Sequence, residues 1–293
     1  MTDETGTAAV RAGDETAPEE FFPDQNTQST MLIPLYGRAI AGARFPDILR
    51  DPDAERIVKT VKYDFSKISA RYGEEYASVS CLARALRFDE RALEFAKKHP
   101  DAIVVNLGAG LDNTFARIDN GRMTNYNVDL PDAIRFRERF IPPSERSRDI
   151  PRSAFDYGWL GEIDSPGKAV FVMSGGFFCY FPESDLKELV GKIVGRFETG
   201  ELIFDICSRK GMKIANRMVE ESGNLGARMR FAVDRAEDLR DWSPGLARVA
   251  VEPFFGKLSR HKGFKLKTRF LTRAADLLGR AKFVRILWGE KGS

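Results

Sequence analysis

Histidine and cysteine are scarce in this chain: His99 and His261 are its histidines, and Cys81, Cys179 and Cys207 its cysteines. Three widely spaced thiols without a C-x-x-C pair argue against both a disulfide framework and a Cys/His zinc site, so no metal is expected. Long apolar runs are missing too. Nothing approaches the ~18 residues of a membrane helix, and the first residues are acidic and polar where a signal peptide would be basic and then apolar. A cytoplasmic protein with no membrane partner is the expectation. An excess of one charge is also lacking, since 46 Lys and Arg balance 43 Asp and Glu to a net +3. That is too little to imply a nucleic-acid partner. The stretch from Lys257 to Lys291 is locally basic, with Asp276 and Glu290 as its acids, and reads as a solvated surface.

What is present is an ordinary globular mixture, 43% hydrophobic and 30% charged over 293 residues, without internal repeats or low-complexity linkers. One α/β unit with additions is expected. Residues 1–28, rich in Thr, Ala, Asp, Glu and Gly, predict a disordered acidic tail. Residues 29–100 mix short apolar runs with Pro34, Pro46 and Pro52 and predict a helical cap. Its longest helix shows Tyr76, Val79, Leu82, Ala83 and Leu86 on one face, with Asp89 expected to cap the next helix, to about Lys98. Residues 101–293 form the core, cap and core making one compact unit.

The most informative stretch is IVVNLGAGLDNTFARIDNGRMTNYNVDL, residues 103–130. A buried strand, Ile103 to Leu107, breaks into Gly108-Ala109-Gly110, where backbone can approach a ligand closely. Helical spacing resumes at Leu111, Phe115 and Ile118, and a second strand ends in Asp129. An acid nineteen residues beyond Gly110 is placed to accept hydrogen bonds from the two hydroxyls of a ribose. In G-x-G-x-x-G dinucleotide sites the third glycine packs helix on strand and the helix N-terminus faces a pyrophosphate. Here Asn113 takes the third place and Asp112 puts a negative charge at the helix start, so a cofactor without phosphates fits better than NAD. S-adenosylmethionine is one. A ligand-free glycine turn stays open as the alternative.

Further along, Arg84 is placed to grip a carboxylate, or else to sit at the surface or pair with Asp89. Pro131 opens a helix with a charged outer face, RFRERF, and residues 141–148 read as loop. DIPRSAFDYGW suggests a short strand ending before Asp156, which either meets an adenine amino group or caps the following turn. A strand from Ala169 to Met173 runs into Ser174-Gly175-Gly176-Phe177-Phe178-Cys179-Tyr180, a candidate cofactor wall or a packed aromatic core. Pro182 opens an amphipathic helix, and a strand from Leu202 to Ile206 follows. Strand and helix alternate, which implies a doubly wound parallel sheet whose ligands lie beyond the strand carboxyl ends, where Gly108, Gly110, Asp129, Asp156 and Gly175 all fall. The remainder predicts strands at MRFAV, ARVAVEP and KFVRILWG, with an extended segment or ordered loop around Lys265, Lys267 and Arg269.

Together, TMLIPLYGRA, the segment from Arg84 to Asp89, VVNLGAGLDNTFARI, VDLPDAIRFRERF, SAFDYGW, GGFFCYFPESDL and LIFDICS resemble the leucine carboxyl methyltransferase and tetracenomycin-type polyketide O-methyltransferase family, over residues 30 to 210. The resemblance implies a mostly parallel, Rossmann-like sheet of seven strands with N-terminal helices, and methyl transfer from S-adenosylmethionine to a carboxylate or phenolic hydroxyl of a small molecule. It implies that Arg84 holds the cofactor carboxylate, Gly108 and Gly110 pass beneath the methionine portion, Asp129 and Leu130 line the ribose, and Asp156 lies by the adenine. The family's E-G-V-L-M-Y-type segment is replaced by one starting at Gly175, so an acid is missing near the cofactor. Tyr36, Arg38 and Tyr180 are acceptor-side candidates. The alternatives are an NAD-linked oxidoreductase and a noncatalytic cofactor-binding protein of the same fold.

Overall fold

A computed structural model describes residues 31–66, 68, 74–221 and 228–289. The expected acidic tail lies outside the described residues. Helices α1, Leu32–Arg44, and α2, Pro52–Thr60, precede the long helix α3, Glu75–Lys98. Asp51 caps α2 by accepting the Ala54 N–H at 2.9 Å, while Pro52 occupies the first turn, where its missing donor costs nothing.

The core then alternates β1 (Ile103–Leu107), α4 (Thr114–Ile118), β2 (Thr124–Asp129), α5 (Pro131–Glu138), β3 (Ser147–Pro151), α6 (Trp159–Glu162), β4 (Val170–Ser174), α7 (Glu183–Arg196), β5 (Gly200–Cys207) and α8 (Arg209–Glu221). It closes with β6 (Leu246–Pro253), α9 (Leu266–Leu277) and β7 (Ala281–Trp288). The seven strands lie in the order β3-β2-β1-β4-β5-β7-β6. All pairings through β5 are parallel, and β7 runs antiparallel to both its neighbours. The sheet is the mostly parallel, seven-stranded α/β architecture expected.

Strand geometry sends successive side chains to opposite faces, and β1 shows the consequence. Ile103, Val105 and Leu107 pack with Leu186, Leu189, Val190 and Ile193 of α7. Val104 packs on the other face with Val79, Leu82, Phe88 and Phe95 of α3. A third cluster joins Leu32 and Leu35 of α1 and Ile57 of α2 to Leu111 and to Phe136 of α5, seating the helical cap over the carboxyl ends of β1 and β2.

Five local expectations are corrected. Helix α3 runs unbroken through Phe88 and Asp89, because Arg117 of α4 bonds both carboxylate oxygens of Asp89, at 2.7 and 3.0 Å, and makes that acid tolerable inside a packed helix face. Strand β3 begins earlier than the pattern implied, at Ser147. The Asn125 and Asn127 side chains of β2 bond Ser147 and Asp149 across the ladder, a polar pairing that hydrophobic alternation cannot reveal. On α5, Arg137 is not part of an outer charged face but is buried. Residues 229–233 form no strand: both sides of β5 are taken, by β4 and β7, so Phe231 and Val233 sink into the core while their N–H groups bond the lone carbonyls of Cys179 and Cys207. Around Lys265 the chain turns into α9, whose buried face is Thr268, Thr272 and Ala275, small residues at helical spacing that the alternating Lys and Phe obscured.

Candidate functional site

Strand β1 ends in the glycine turn. Gly108 has φ +69° and Gly110 φ +47°, left-handed conformations that L side chains rarely adopt. The Gly108 N–H bonds the Val128 carbonyl of β2 at 2.9 Å, so the turn is fastened to the strand that ends in Asp129. From there Asp129 Oδ2 accepts the Gly110 N–H at 2.7 Å and Oδ1 accepts the N–H of the half-exposed Leu130 at 2.8 Å. Burial pushes the Asp129 carboxyl up from its ordinary value, and these two backbone N–H groups pull against it. Each oxygen keeps a further lone pair for a ligand hydroxyl.

A layer of charge holds the turn from behind. Arg38, buried in α1, binds Asp51 at 2.8 Å and the Leu111 carbonyl at 2.9 Å. Arg137 donates to the carbonyls of Gly110 and Asp112 and faces the buried Asp149 at 3.5 Å. Arg117 joins Asp89 to Thr114 and reaches Asp51 at 3.4 Å. At the start of α4, Asp112 accepts the Thr114 N–H at 3.2 Å and the Asn106 side chain at 3.1 Å. Burial pushes the Asp112 carboxyl up, but Arg38, Arg117 and the Thr114 N–H outweigh it and hold it below the ordinary carboxylate value. The first donors of that five-residue helix are therefore already faced by an anion, and a pyrophosphate would meet repulsion.

The second wall comes from β4 and β5. Ser174 Oγ donates to the Leu107 carbonyl at 3.0 Å and ties the end of β4 to the glycine turn. Gly176 has φ +65°, and a Cβ there would stand 2.7 Å from Arg84 Nη1. Arg84 reaches over from α3 and meets Asp205 of β5 at 3.4 Å, while Asp205 Oδ1 accepts the Gly176 N–H at 2.6 Å. Over the turn lie three aromatic rings: Phe177 and Phe155 each stand 4.6 Å from Phe181, centroid to centroid. Phe177 rests directly on Gly108, where a Cβ would come within 2.7 Å of its ring.

The fold thus gathers Gly108, Gly110, Asp129, Leu130, Arg84 and Gly175 around the carboxyl ends of β1, β2 and β4. Arg84 pairs with Asp205 and not with Asp89, the partner weighed from the sequence. Asp156 is exposed just beyond β3; its carboxylate binds Arg152 at 2.8 Å and caps the Gly158 N–H at 3.2 Å, the turn-capping alternative. Tyr36 stacks on Phe65 with centroids 5.0 Å apart. Tyr180 ends a short 3-10 turn packed against the core. Arg38 stands behind the glycine turn, held as described, and so supports the turn. Reasoning from sequence placed Gly176 in the candidate wall and weighed Asp89 as a cap or a partner of Arg84, but missed Asp205, Asp51, Arg117 and Arg137. A strand-end acid was a visible signal for the first; the charged network, drawn from separate segments, had none.

Burial pushes the thiols of Cys81, Cys179 and Cys207 up, the last to about 11, which removes them as nucleophiles near neutral pH. Among the described residues no His, Cys, Asp and Glu cluster could hold a metal, and no helix is long and apolar enough to cross a membrane. Two open recesses lie nearby. One of about 410 Å³ is lined by Ser208, Lys210, Asp234 and Lys282, and one of about 520 Å³ lies between α3 and β6. Neither is lined by Gly108, Asp129 or Arg84, and the converging hydrogen-bonding groups place the candidate site at the glycine turn.

Residues 31–154 match the family described as leucine carboxyl methyltransferase. The tetracenomycin polyketide synthesis O-methyltransferase TcmP of Streptomyces glaucescens is 29% identical over 218 residues, 74% of this chain and 79% of that protein. Two solved structures share the fold with a TM-score of 0.57 each: a Thermobifida fusca YX protein described as a methyltransferase, 12% identical over 86% of this chain and 94% of its own, and a DUF574 family protein of Streptomyces avermitilis, 11% identical over 86% and 96%.

Proposed function

We propose that this chain, which matches the leucine carboxyl methyltransferase family over residues 31–154 and resembles a polyketide O-methyltransferase, is an S-adenosylmethionine-dependent methyltransferase that methylates an oxygen, a carboxylate or a phenolic hydroxyl, of a small molecule. The observation that carries the cofactor assignment to particular residues is the 2.7 Å hydrogen bond from Gly110 N–H to Asp129, which folds a strand-end carboxylate onto a bare glycine turn. The residues present fit a nucleoside bearing an amino acid and no phosphate. Asp129 and the Leu130 backbone would take the ribose, Arg84 the carboxylate, Gly108 and Gly110 the methionine portion, Gly175 the facing wall, and Asp156 the adenine edge. The occupied start of α4 opposes a dinucleotide. S-adenosylmethionine supplies an electrophilic methyl group on a sulfonium, already activated.

The protein's contribution is then position and dryness. The Arg38, Arg117 and Arg137 network fixes the turn that carries Gly110, so the donors and acceptors at the site need no reorganisation when they are used. Phe155, Phe177 and Phe181 form an apolar cover over the turn that would exclude water from the reacting centre. A carboxylate acceptor needs no base. A phenol needs one, and Tyr180, beside the same aromatic cover, is the candidate. Tyr36, on the cap, is the second acceptor-side candidate.

Calorimetry with S-adenosylhomocysteine and with NADH tests the cofactor: the first should bind and the second should not. Transfer of a labelled methyl group to aromatic acids and phenols tests the acceptor class. Binding of NADH without S-adenosylhomocysteine would overturn the reading. Tight binding with no transfer to any oxygen acceptor would favour a noncatalytic role.

A further inference from the structure

The ion pair between Arg84 and Asp205 is longer and more open to solvent than the Arg38–Asp51 pair behind the glycine turn. Arg38 and Asp51 have side chains 6% and 3% exposed, and that guanidinium also holds a backbone carbonyl. Arg84 and Asp205 are 20% and 15% exposed, and they meet at a long 3.4 Å through one guanidinium nitrogen. A guanidinium carries five donors and a carboxylate about four acceptor sites. Arg84 engages one donor with Asp205, and Asp205 accepts from Arg84 and from Gly176 N–H, so both retain hydrogen-bonding capacity.

Register explains why this carboxylate is the available one. Strands β4 and β5 pair in parallel with Ser174 opposite Phe204, which sets Gly175 beside Asp205. A Cβ at Gly175 would lie 3.0 Å from the Phe88 ring and 3.6 Å from Arg84. A side chain there would crowd the Phe88 ring and lie in contact with Arg84. Glycine leaves Arg84 its path across Gly176, and the acid is delivered from the adjacent strand.

We propose that Arg84 and Asp205 together form the receptor for the amino-acid end of the cofactor, Asp205 accepting its α-ammonium while Arg84 takes its carboxylate. Opposite charges side by side match a zwitterion, whose two groups bind without a net charge being buried. Asp205 is thus a binding residue that also steadies Arg84. The assignment rests on the methyltransferase reading and deepens it.

Three ligands separate the two: S-adenosylhomocysteine, its analogue with the α-amino group replaced by hydrogen, and 5′-methylthioadenosine, which lacks the amino-acid end. Titration calorimetry on the wild-type protein should show the deaminated analogue binding about 10- to 100-fold more weakly than S-adenosylhomocysteine, the range for a charge-assisted hydrogen bond. In Asp205→Asn that preference should collapse to within about threefold, with 5′-methylthioadenosine affinity unchanged. Asp205→Glu, which keeps the charge, should restore part of the preference and guards against loss of folding in the amide variant. Equal wild-type affinity for the two amino-acid ligands, or a variant that weakens 5′-methylthioadenosine as much as S-adenosylhomocysteine, would overturn the Asp205 assignment and leave the cofactor reading intact. A wild-type protein that binds none of the three overturns both.

Discussion

The contact between Gly108 and Phe177 makes a quantitative test of how tightly the turn is built. Gly108→Ala adds one methyl group to a residue at φ +69°. Left-handed backbone costs an L residue about 1–2 kcal/mol. The new Cβ also falls 2.7 Å from the Phe177 ring, and forcing a packed side chain aside adds about 1–3 kcal/mol. The two contributions separate. Gly121 has φ +80° with open space around it, so Gly121→Ala should show the backbone cost alone. In a Phe177→Ala background, Gly108→Ala should lose its steric part and fall toward the Gly121→Ala value, giving a coupling of about 1–3 kcal/mol in a double-mutant cycle. Denaturant titration followed by tryptophan fluorescence reads all five proteins, wild type included, because Trp159, Trp242 and Trp288 are buried. The reasoning is refuted if Gly108→Ala costs no more than Gly121→Ala, or if removing the Phe177 ring leaves its cost unchanged.

Other outcomes follow from the charges. Burial raises Asp89 from 3.8 to about 6 in spite of Arg117. The folded state therefore holds a proton that the unfolded chain has released, and stability falls as pH rises through that window, by up to about 3 kcal/mol. Asp89→Asn should flatten this component, and urea midpoints between pH 4 and 7 that change in parallel for both proteins would disprove it. Asp129→Ala should weaken S-adenosylhomocysteine by about 10- to 100-fold in calorimetry, since it deletes a charged acceptor; undiminished affinity would take Asp129 out of the site. Asp156→Ala removes an exposed pair with Arg152 and the cap on Gly158 N–H, and should lower S-adenosylhomocysteine affinity several-fold; unchanged affinity would make Asp156 a structural cap alone.

The architecture was legible where one residue's surroundings follow from its neighbours in the chain. Ile103 to Leu107 had to be a buried strand, and Gly108 and Gly110 had to break it. The helix after Pro182 showed its apolar face at helical spacing. Where partners come from afar, local pattern misled. Asp89 looked like a cap because a carboxylate in a helix interior is costly, and nothing nearby announces the Arg117 that makes it acceptable. The alternation of Lys265, Lys267 and Arg269 with Phe264, Leu266 and Phe270 imitated a strand because the face that α9 buries consists of the inconspicuous Thr268, Thr272 and Ala275.

For the site, the order of glycine turn, helix and strand-end acid was enough to point to a phosphate-free nucleoside cofactor, because the acid that would suit a ribose, Asp129, and the acid that opposes a phosphate, Asp112, lie within one continuous segment. Only the tertiary structure decided how that segment is held. Arg38, Arg117 and Arg137 arrive from three different helices, and Asp205 reaches Arg84 across 121 positions of sequence. Ion pairs of this kind carry no periodicity and no spacing rule. They depend on where a folded sheet brings its strand ends, and that is settled by packing over the whole chain.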